Sequence, residues 1–267
     1  RRESIADVKW IFNDSALSTN YAERSVLLES GRFESFDLLV AATGIRPREL
    51  NVPGAEKSKF SLRNFTEAQE LRASMLGAQK LVIVGAGFIG CEIAATARKL
   101  GINVAVVAAD PEPMFRPLGA EFGRAMRERH EAKGVKFHMN AKITGYLGGD
   151  KATGVALDTG EEVNGDLVIE AIGSLPNTEW LSGGGLDLHD GVLVDSSMRA
   201  TAAGDVSIYA VGDVARYSFD LFDSTPRRIE HWNLPTETGR RAGKSITHFL
   251  NTGEVLAEPV NFVPSFW

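Results

Sequence analysis

The run Lys80-Leu-Val-Ile-Val-Gly-Ala-Gly-Phe-Ile-Gly-Cys-Glu92 constrains this chain more than any other segment. A short apolar stretch leads into Gly85, Gly87 and Gly90, spaced GxGxxG, and an amphipathic helical pattern follows. A strand that turns tightly into a helix needs glycine at these places for three separate reasons. One allows the turn, one lets the backbone approach a pyrophosphate, and one lets helix and strand pack closely. The unpaired N–H groups and positive dipole end of such a helix favour an anion. With a strand before it and a helix after it, the spacing predicts a dinucleotide site. A glycine-rich turn that only packs a strand–helix unit is the alternative.

The rest of the chain supplies the setting. Residues 5–43 read as β-rich, with the alternating runs Val8-Lys-Trp-Ile-Phe12 and Ser25-Val-Leu-Leu-Glu29. Phe36 to Gly44 reads as a buried strand ending in Thr-Gly, with breaks at Arg46-Pro47 and Pro53-Gly54. Thr66 with Gln69 predicts a capping box for a helix over 67–76. From Lys80 the order is strand, helix, strand 102–108, a loop with Pro111, Pro113 and Pro117, and a helix over 120–133. Short strands at 135–139, 141–147, 152–158 and 161–163 precede a second buried strand, Asp166 to Gly173. This βαβ order with a small meander makes residues 78–175 one nucleotide-binding unit. Beyond Gly183-Gly-Gly185 come a strand over 191–195, the apolar run Val206 to Gly212, and a helix over 236–250.

Composition narrows the classes of function. A chain of 267 residues with 43% hydrophobic content can bury one large or two ordinary cores. A net charge of −6 with both signs mixed argues against nucleic acid or a membrane surface as partner. No apolar run reaches the length of a membrane span. The single cysteine, Cys91, excludes an internal disulfide or redox cysteine pair within these residues and fits a reducing, cytoplasmic setting. It reads as a small packed residue. Nothing in the pattern suggests a catalytic triad, a metal-ligand set or a histidine cluster. The opening Arg1-Arg-Glu-Ser without Met and the ending Val263-Pro-Ser-Phe-Trp267 read as the middle of a longer protein.

Four segments in order carry a family likeness: Ala41-Ala-Thr-Gly44, Gly85-x-Gly-x-x-Gly-x-Glu92, Ala171-Ile-Gly-Ser-Leu-Pro176 and Tyr209-Ala-Val-Gly-Asp-Val-Ala215. Together they resemble the two-dinucleotide-binding-domain flavoproteins, the pyridine nucleotide-disulfide oxidoreductase superfamily. Arg227-Arg-Ile-Glu-His-Trp232, the helix after it and the Val-Pro-x-Phe-Trp ending look like the ferredoxin reductase branch. The apoptosis-inducing-factor branch shares the Arg-x-Glu-His theme. The resemblance spans almost the whole chain. It implies an α/β fold with a Rossmann-like NAD(P)-binding domain inserted in an incomplete FAD-binding domain. Residues 1–64 would be the first part of the FAD-binding domain, 65–177 the NAD(P)H-binding domain, 178–257 the second FAD-binding part, and 258–267 the start of a C-terminal domain. The family's N-terminal glycine-rich turn, which holds the adenosine diphosphate of FAD, is not in this sequence. These residues alone are therefore expected to retain FAD poorly.

The same resemblance assigns residues. Gly85, Gly87 and Gly90, with Phe88 and Ile89 between them, would hold the NAD(P) pyrophosphate, and Glu92 would face the nicotinamide side. The usual ribose-binding acid is replaced by Ala108, and Asp110 two residues later is expected to reach the ribose, favouring NADH over NADPH. Arg116 could instead pair with a 2′-phosphate or be a solvated loop residue. Thr43 and Gly44 would form the crossing between the FAD and NAD domains, Gly173 would be a further cofactor-binding residue, and Asp213, after Gly212, would accept from the ribityl chain of FAD. Glu230, His231 and Trp232 would lie beside the isoalloxazine, ahead of a helix capped by Thr236 or Thr238. Read alone, Gly212-Asp213 is an ordinary turn and Trp232 a core aromatic. The implied activity is hydride transfer from NAD(P)H to flavin, then electron transfer to ferredoxin or a similar small carrier. Such chemistry needs no protein nucleophile or general acid. A reductase of disulfides, quinones or peroxides remains an alternative, as does a nucleotide-binding module or fragment without enzymatic activity. Oligomeric state is left open.

Overall fold

The computed structural model describes residues 5–54, 59–200, 207–219, 221, 223–256 and 258–260. The chain forms an outer unit, Arg1–Ile45 with Pro176–Trp267, and an inner unit, Arg46–Leu175. The outer unit opens with β1 (Ala16–Asn20), β2 (Ser25–Leu28), β3 (Phe33–Ser35) and β4 (Leu38–Ala41), and β5 (Ile45–Pro47) leads inward. The inner unit runs α1 (Phe65–Met75), β6 (Lys80–Val84), α2 (Phe88–Lys99), β7 (Asn103–Val107), α3 (Phe115–Glu131) and β8 (Val135–His138). It continues through β9 (Ile143–Leu147), β10 (Gly154–Leu157), β11 (Glu162–Asn164) and β12 (Leu167–Glu170) to β13 (Ser174–Pro176). The chain then adds β14 (Val192–Leu193), β15 (Ser207–Ala210), β16 (Ala215–Phe219), β17 (Asp223–Arg227) and α4 (Leu234–Thr252).

The inner sheet is all parallel, in the order β12-β6-β7-β8. Its central strand reads as an unbroken apolar run because both faces are covered. Leu81 and Ile83 point to the helices, where they pack with Leu71 and Met75 of α1 and Ile93, Ala94 and Ala97 of α2. Val82 and Val84 alternate to the other face, against Tyr146, Val155, Leu157 and Val163 of the antiparallel meander β9-β10-β11. Burying a side chain such as Ile83 completely contributes roughly 2 kcal/mol.

In the outer unit β4 and β15 form a parallel pair, Leu38 opposite Ser207 through Ala41 opposite Ala210. The core around them includes Leu181, Met198, Ile208, Tyr209, Tyr217 and Phe219. Helix α4 starts with Pro235 in its first turn and ends at Gly253, in the left-handed region at φ 75°. Its buried residues Leu234, Thr238, Ala242 and Ser245 form one stripe down the helix.

Several local expectations are corrected. Residues 8–12 form no strand; Trp10 and Phe12 stack at 5.9 Å and are solvent-exposed. Helix α1 is capped by Asn64, whose side chain accepts from the Glu67 N–H at 2.9 Å, and Glu67 reaches back to the Arg63 N–H at 2.7 Å. The capping pair is thus Asn64 and Glu67, two residues before the expected Thr66 and Gln69. Helix α3 begins at Phe115, with a break at Gly119. Residues 46–64, read with the outer domain, belong to the inner unit. Phe60 bridges Ile169 of β12, and Tyr146 N–H donates to Pro53 O at 2.8 Å, so this segment is stitched to the inner sheet and meander. The expected start of a C-terminal domain lies mostly outside the described residues.

Candidate functional site

A cleft of about 480 Å³ opens at the carboxyl ends of β6, β7 and β12. Such crevices are where open parallel sheets bind ligands. It is lined by Gly85, Ala86 and Gly87 from the turn, Ala108 to Asp110 after β7, and Ala171, Ile172 and Gly173 after β12. The three turn glycines do different jobs. Gly85 holds φ at +105°, and a Cβ there would lie 2.3 Å from Ala171 O. A Cβ on Gly90 would lie 2.2 Å from Gly85 O, so this glycine lets α2 seat against the turn. A Cβ on Gly87 would meet nothing within 4 Å. Gly87 thus lines the cleft at a place where a side chain would meet no other part of the chain.

Gly87 is also the N-cap of α2 and offers no side-chain acceptor to the first helical N–H groups. Those donors and the helix dipole give the cleft an anion-seeking end. Phe88 and Ile89 in this first turn are exposed. Glu92 follows on the same helix and is exposed, whereas Cys91 is buried. Burial, and then the neighbouring Glu92 charge, push the Cys91 thiol up to about 11, so it is a packed, unreactive residue. The outer rim is tied to the turn by Met114 N–H, which donates to Ala86 O at 2.9 Å. On that rim Asp110 and Arg116 pair at 3.3 Å, and both line the cleft. Leu50 and Lys142, which the sequence did not single out, line it as well.

The remaining candidates cluster in the outer unit. Pairing of β4 with β15 sets Thr43-Gly44 and Gly212-Asp213 just beyond neighbouring strand ends, and Val211 N–H donates to Ala41 O at 3.0 Å. Thr43 Oγ1 donates to Asn177 O at 2.7 Å, and Asn177 Nδ2 returns a bond to Thr43 O at 2.9 Å. Gly212 takes φ +71° and presses toward Pro235 of α4. Its N–H donates to Thr238 Oγ1 at 2.8 Å, while that hydroxyl donates to Leu234 O at 2.6 Å. Neither Thr236 nor Thr238 caps α4; the N-cap is Asn233, without a side-chain cap bond. Thr238 instead lies inside, fixing the Gly212 turn to the helix. Arg228 joins Glu230 at 2.6 Å and Asp190 at 3.1 Å. His231 meets Asn233 through Nδ1, and Trp232 is 61% exposed, so it is not a core aromatic.

Fold and site define a two-unit α/β protein whose inner unit is a Rossmann-like module. The pyridine nucleotide-disulphide oxidoreductase family matches residues 2–239. A rubredoxin-NAD(+) reductase of Pseudomonas putida is 34% identical over 82% of this chain and 56% of its own. Rhodocoxin reductase of Rhodococcus erythropolis is 37% identical over 73% of this chain and 45% of its own. A ferredoxin reductase structure from Rhodopseudomonas palustris superposes with a TM-score of 0.84 and 32% identity, over 98% of this chain and 63% of that one. The chain belongs to the pyridine nucleotide-disulphide oxidoreductase family, in its ferredoxin reductase-like branch. It spans about half the length of the curated relatives it matches. Among the described residues no helix is long and apolar enough to cross a membrane.

Proposed function

We propose that this chain is the nucleotide-binding part of an FAD-dependent oxidoreductase that takes a hydride from NADH and hands electrons to a ferredoxin-like carrier. The observation that carries the reading is the open space at Gly87 beside an uncapped helix N-terminus, in a chain similar to ferredoxin and rubredoxin reductases. Gly85, Gly87 and Gly90 seat the nucleotide diphosphate, with the N–H groups of the first turn as donors. Asp110 meets the ribose, and its ion pair with Arg116 leaves that cation already matched, which supports NADH over NADPH. Glu92 faces the nicotinamide side. Thr43, Gly44, Gly212, Asp213, Glu230, His231 and Trp232 of the outer unit meet the flavin, and Gly173 is a cofactor-binding residue of the inner cleft. A bound flavin supplies acceptance of a hydride and release of single electrons; the chain supplies binding and orientation. A cytoplasmic site of action belongs to this reading, in keeping with a single cysteine among these residues.

Calorimetric titration with NADH and NADPH tests the nucleotide site directly. Gly87→Val should raise the NADH Kd by about 10- to 100-fold, the equivalent of one charge-assisted hydrogen bond, while leaving the unfolding midpoint near wild type. Equal affinity in both proteins removes the diphosphate assignment. Tighter binding of NADPH reverses the cofactor preference. Reduction of a ferredoxin by NADH in the presence of added FAD tests the electron-transfer step.

A further inference from the structure

Among its described residues the inner unit buries a carboxylate that the proposed chemistry does not use. Glu170, 6% exposed, ends β12 immediately before Ala171, Ile172 and Gly173 of the cleft wall. Its Oε1 accepts from the Tyr146 hydroxyl and lies 3.4 Å from Lys59 Nζ. The Leu50 N–H also donates to Oε1, at 3.4 Å. Lys59 Nζ sits 4.7 Å from the centre of the Tyr146 ring, adding a cation–π contact within the same cluster. Burial, the bond to Glu170 and the charges of Glu170 and Glu49 all hold the Tyr146 phenol far above its ordinary range, so it stays a donor.

A buried ion pair is weak support for stability, because well-packed apolar residues of the same size commonly do as well. What a polar cluster does supply is a fixed position. The segment carrying Leu50 crosses the end of β12 and is tied at its borders by backbone bonds. Arg48 N–H donates to Gly173 O at 2.9 Å, and Phe60 N–H donates to Val168 O at 3.0 Å. Between these ties Glu170 accepts from the backbone N–H of Leu50, a residue that lines the cleft. One carboxylate thus connects both sides of a single wall, Leu50 on one and Ile172-Gly173 on the other.

We propose that Glu170 is a positioning residue for nucleotide binding, holding Leu50 against the cleft through its bonds to Leu50, Lys59 and Tyr146. This rests on the nucleotide reading of the cleft. The test is NADH titration of wild type, Glu170→Gln, Tyr146→Phe, Leu50→Ala and the Glu170→Gln/Leu50→Ala double variant, with thermal unfolding followed in parallel. Glu170→Gln should raise the Kd about tenfold and Tyr146→Phe less, in the same direction. The double variant should bind no more weakly than the two single effects overlapped, well short of their product. A Glu170→Gln or Tyr146→Phe protein that melts earlier yet binds NADH like wild type overturns the inference, as does full additivity with Leu50→Ala. If Glu170→Gln does not fold, the Kd of Tyr146→Phe decides. A wild type that fails to bind NADH removes the nucleotide reading and this inference with it, whereas normal wild-type binding with unaffected variants removes this inference alone.

Discussion

The two units carry the same phrase in different surroundings. Asp37-Leu-Leu-Val-Ala-Ala-Thr-Gly-Ile-Arg-Pro47 in the outer unit matches Asp166-Leu-Val-Ile-Glu-Ala-Ile-Gly-Ser-Leu-Pro176. Each follows a three-stranded antiparallel meander, each forms a parallel strand, and each runs on into a short strand, β5 or β13. The neighbours differ. β12 has β6 on one side and the Phe60 bridge on the other, and all four of its residues are buried. Among the described residues β4 pairs with β15, and Val40 is 42% exposed. A parallel strand is most stable inside a sheet covered on both faces. In the inner unit α1 and α2 cover one face and the β9-β10-β11 meander the other. The same phrase therefore has different structural weight in its two places.

The largest expected effect separates them by substitution. Ile83→Ala, at a fully buried site, should cost about 2–5 kcal/mol, whereas Val40→Ala should cost under about 1 kcal/mol. Two built-in probes read the units separately. Trp10, Trp180, Trp232 and Trp267 all fall within the residue ranges of the outer unit, and the lone Cys91 within the inner one. In a urea series, Ile83→Ala should lower the urea concentration at which Cys91 becomes open to alkylation, and leave the tryptophan transition nearly in place. A joint shift of both signals would show that the units unfold together, and would break the comparison.

A smaller effect sharpens it at the matching glycines of the two phrases. Gly173 holds φ +98°, beyond the left-handed region open to other residues, and a Cβ there meets nothing within 4 Å. Its replacement by Ala should cost about 2–3 kcal/mol, all of it backbone strain. Gly44 holds φ +61°, inside that region, and Gly44→Ala should cost about 1 kcal/mol. Alkylation of Cys91 reads the first and tryptophan emission the second. Equal costs would mean that the backbone of one site relaxes when a Cβ is added.

What can be read in the sequence follows from the range of the forces. The β6 run, the glycine turn and α2 are legible because periodicity and glycine chemistry act over a few residues. The strand ends at Thr43-Gly44 and Gly212-Asp213 are legible as motifs, and pairing of β4 with β15 sets them side by side. The cap of α1 is not, because Asn64 with Glu67 and Thr66 with Gln69 share the same spacing, and only the backbone shows which is used. Val8 to Phe12 alternates like a strand, yet alternation does not supply a partner strand, and the rings of Trp10 and Phe12 stack on each other instead. Thr238 has the sequence position of a cap, but its hydroxyl serves Gly212, 26 residues earlier. Glu170, Tyr146 and Lys59 are invisible for the same reason: their sequence separations carry no local signal.

The smallest effect is electrostatic, and below about pH 5 acid should weaken the outer unit more. Four of its carboxylates are held below their ordinary range: Asp14 by the Ser30 hydroxyl and N–H, Glu34 by Lys9, Asp187 by Arg216 and the His189 N–H, and Asp223 by the Thr225 N–H and Arg227. In the inner unit Asp166 is held down by the Gln79 and Lys80 N–H groups at the start of β6. A carboxylate whose folded pKa is lowered adds stability above its unfolded value of about 4, and that stability is lost as pH falls through the folded value. All of these groups lie near the surface, where solvent and salt weaken each contribution. Between about pH 5 and pH 2 the tryptophan transition should therefore fall faster in urea midpoint than the Cys91 transition, read by a thiol reagent active in acid. Asp166→Asn should flatten only the inner-unit slope, and Asp187→Asn only the outer. An inner unit that loses more stability than the outer one between about pH 5 and pH 2 would mean that groups other than these carboxylates govern the acid response.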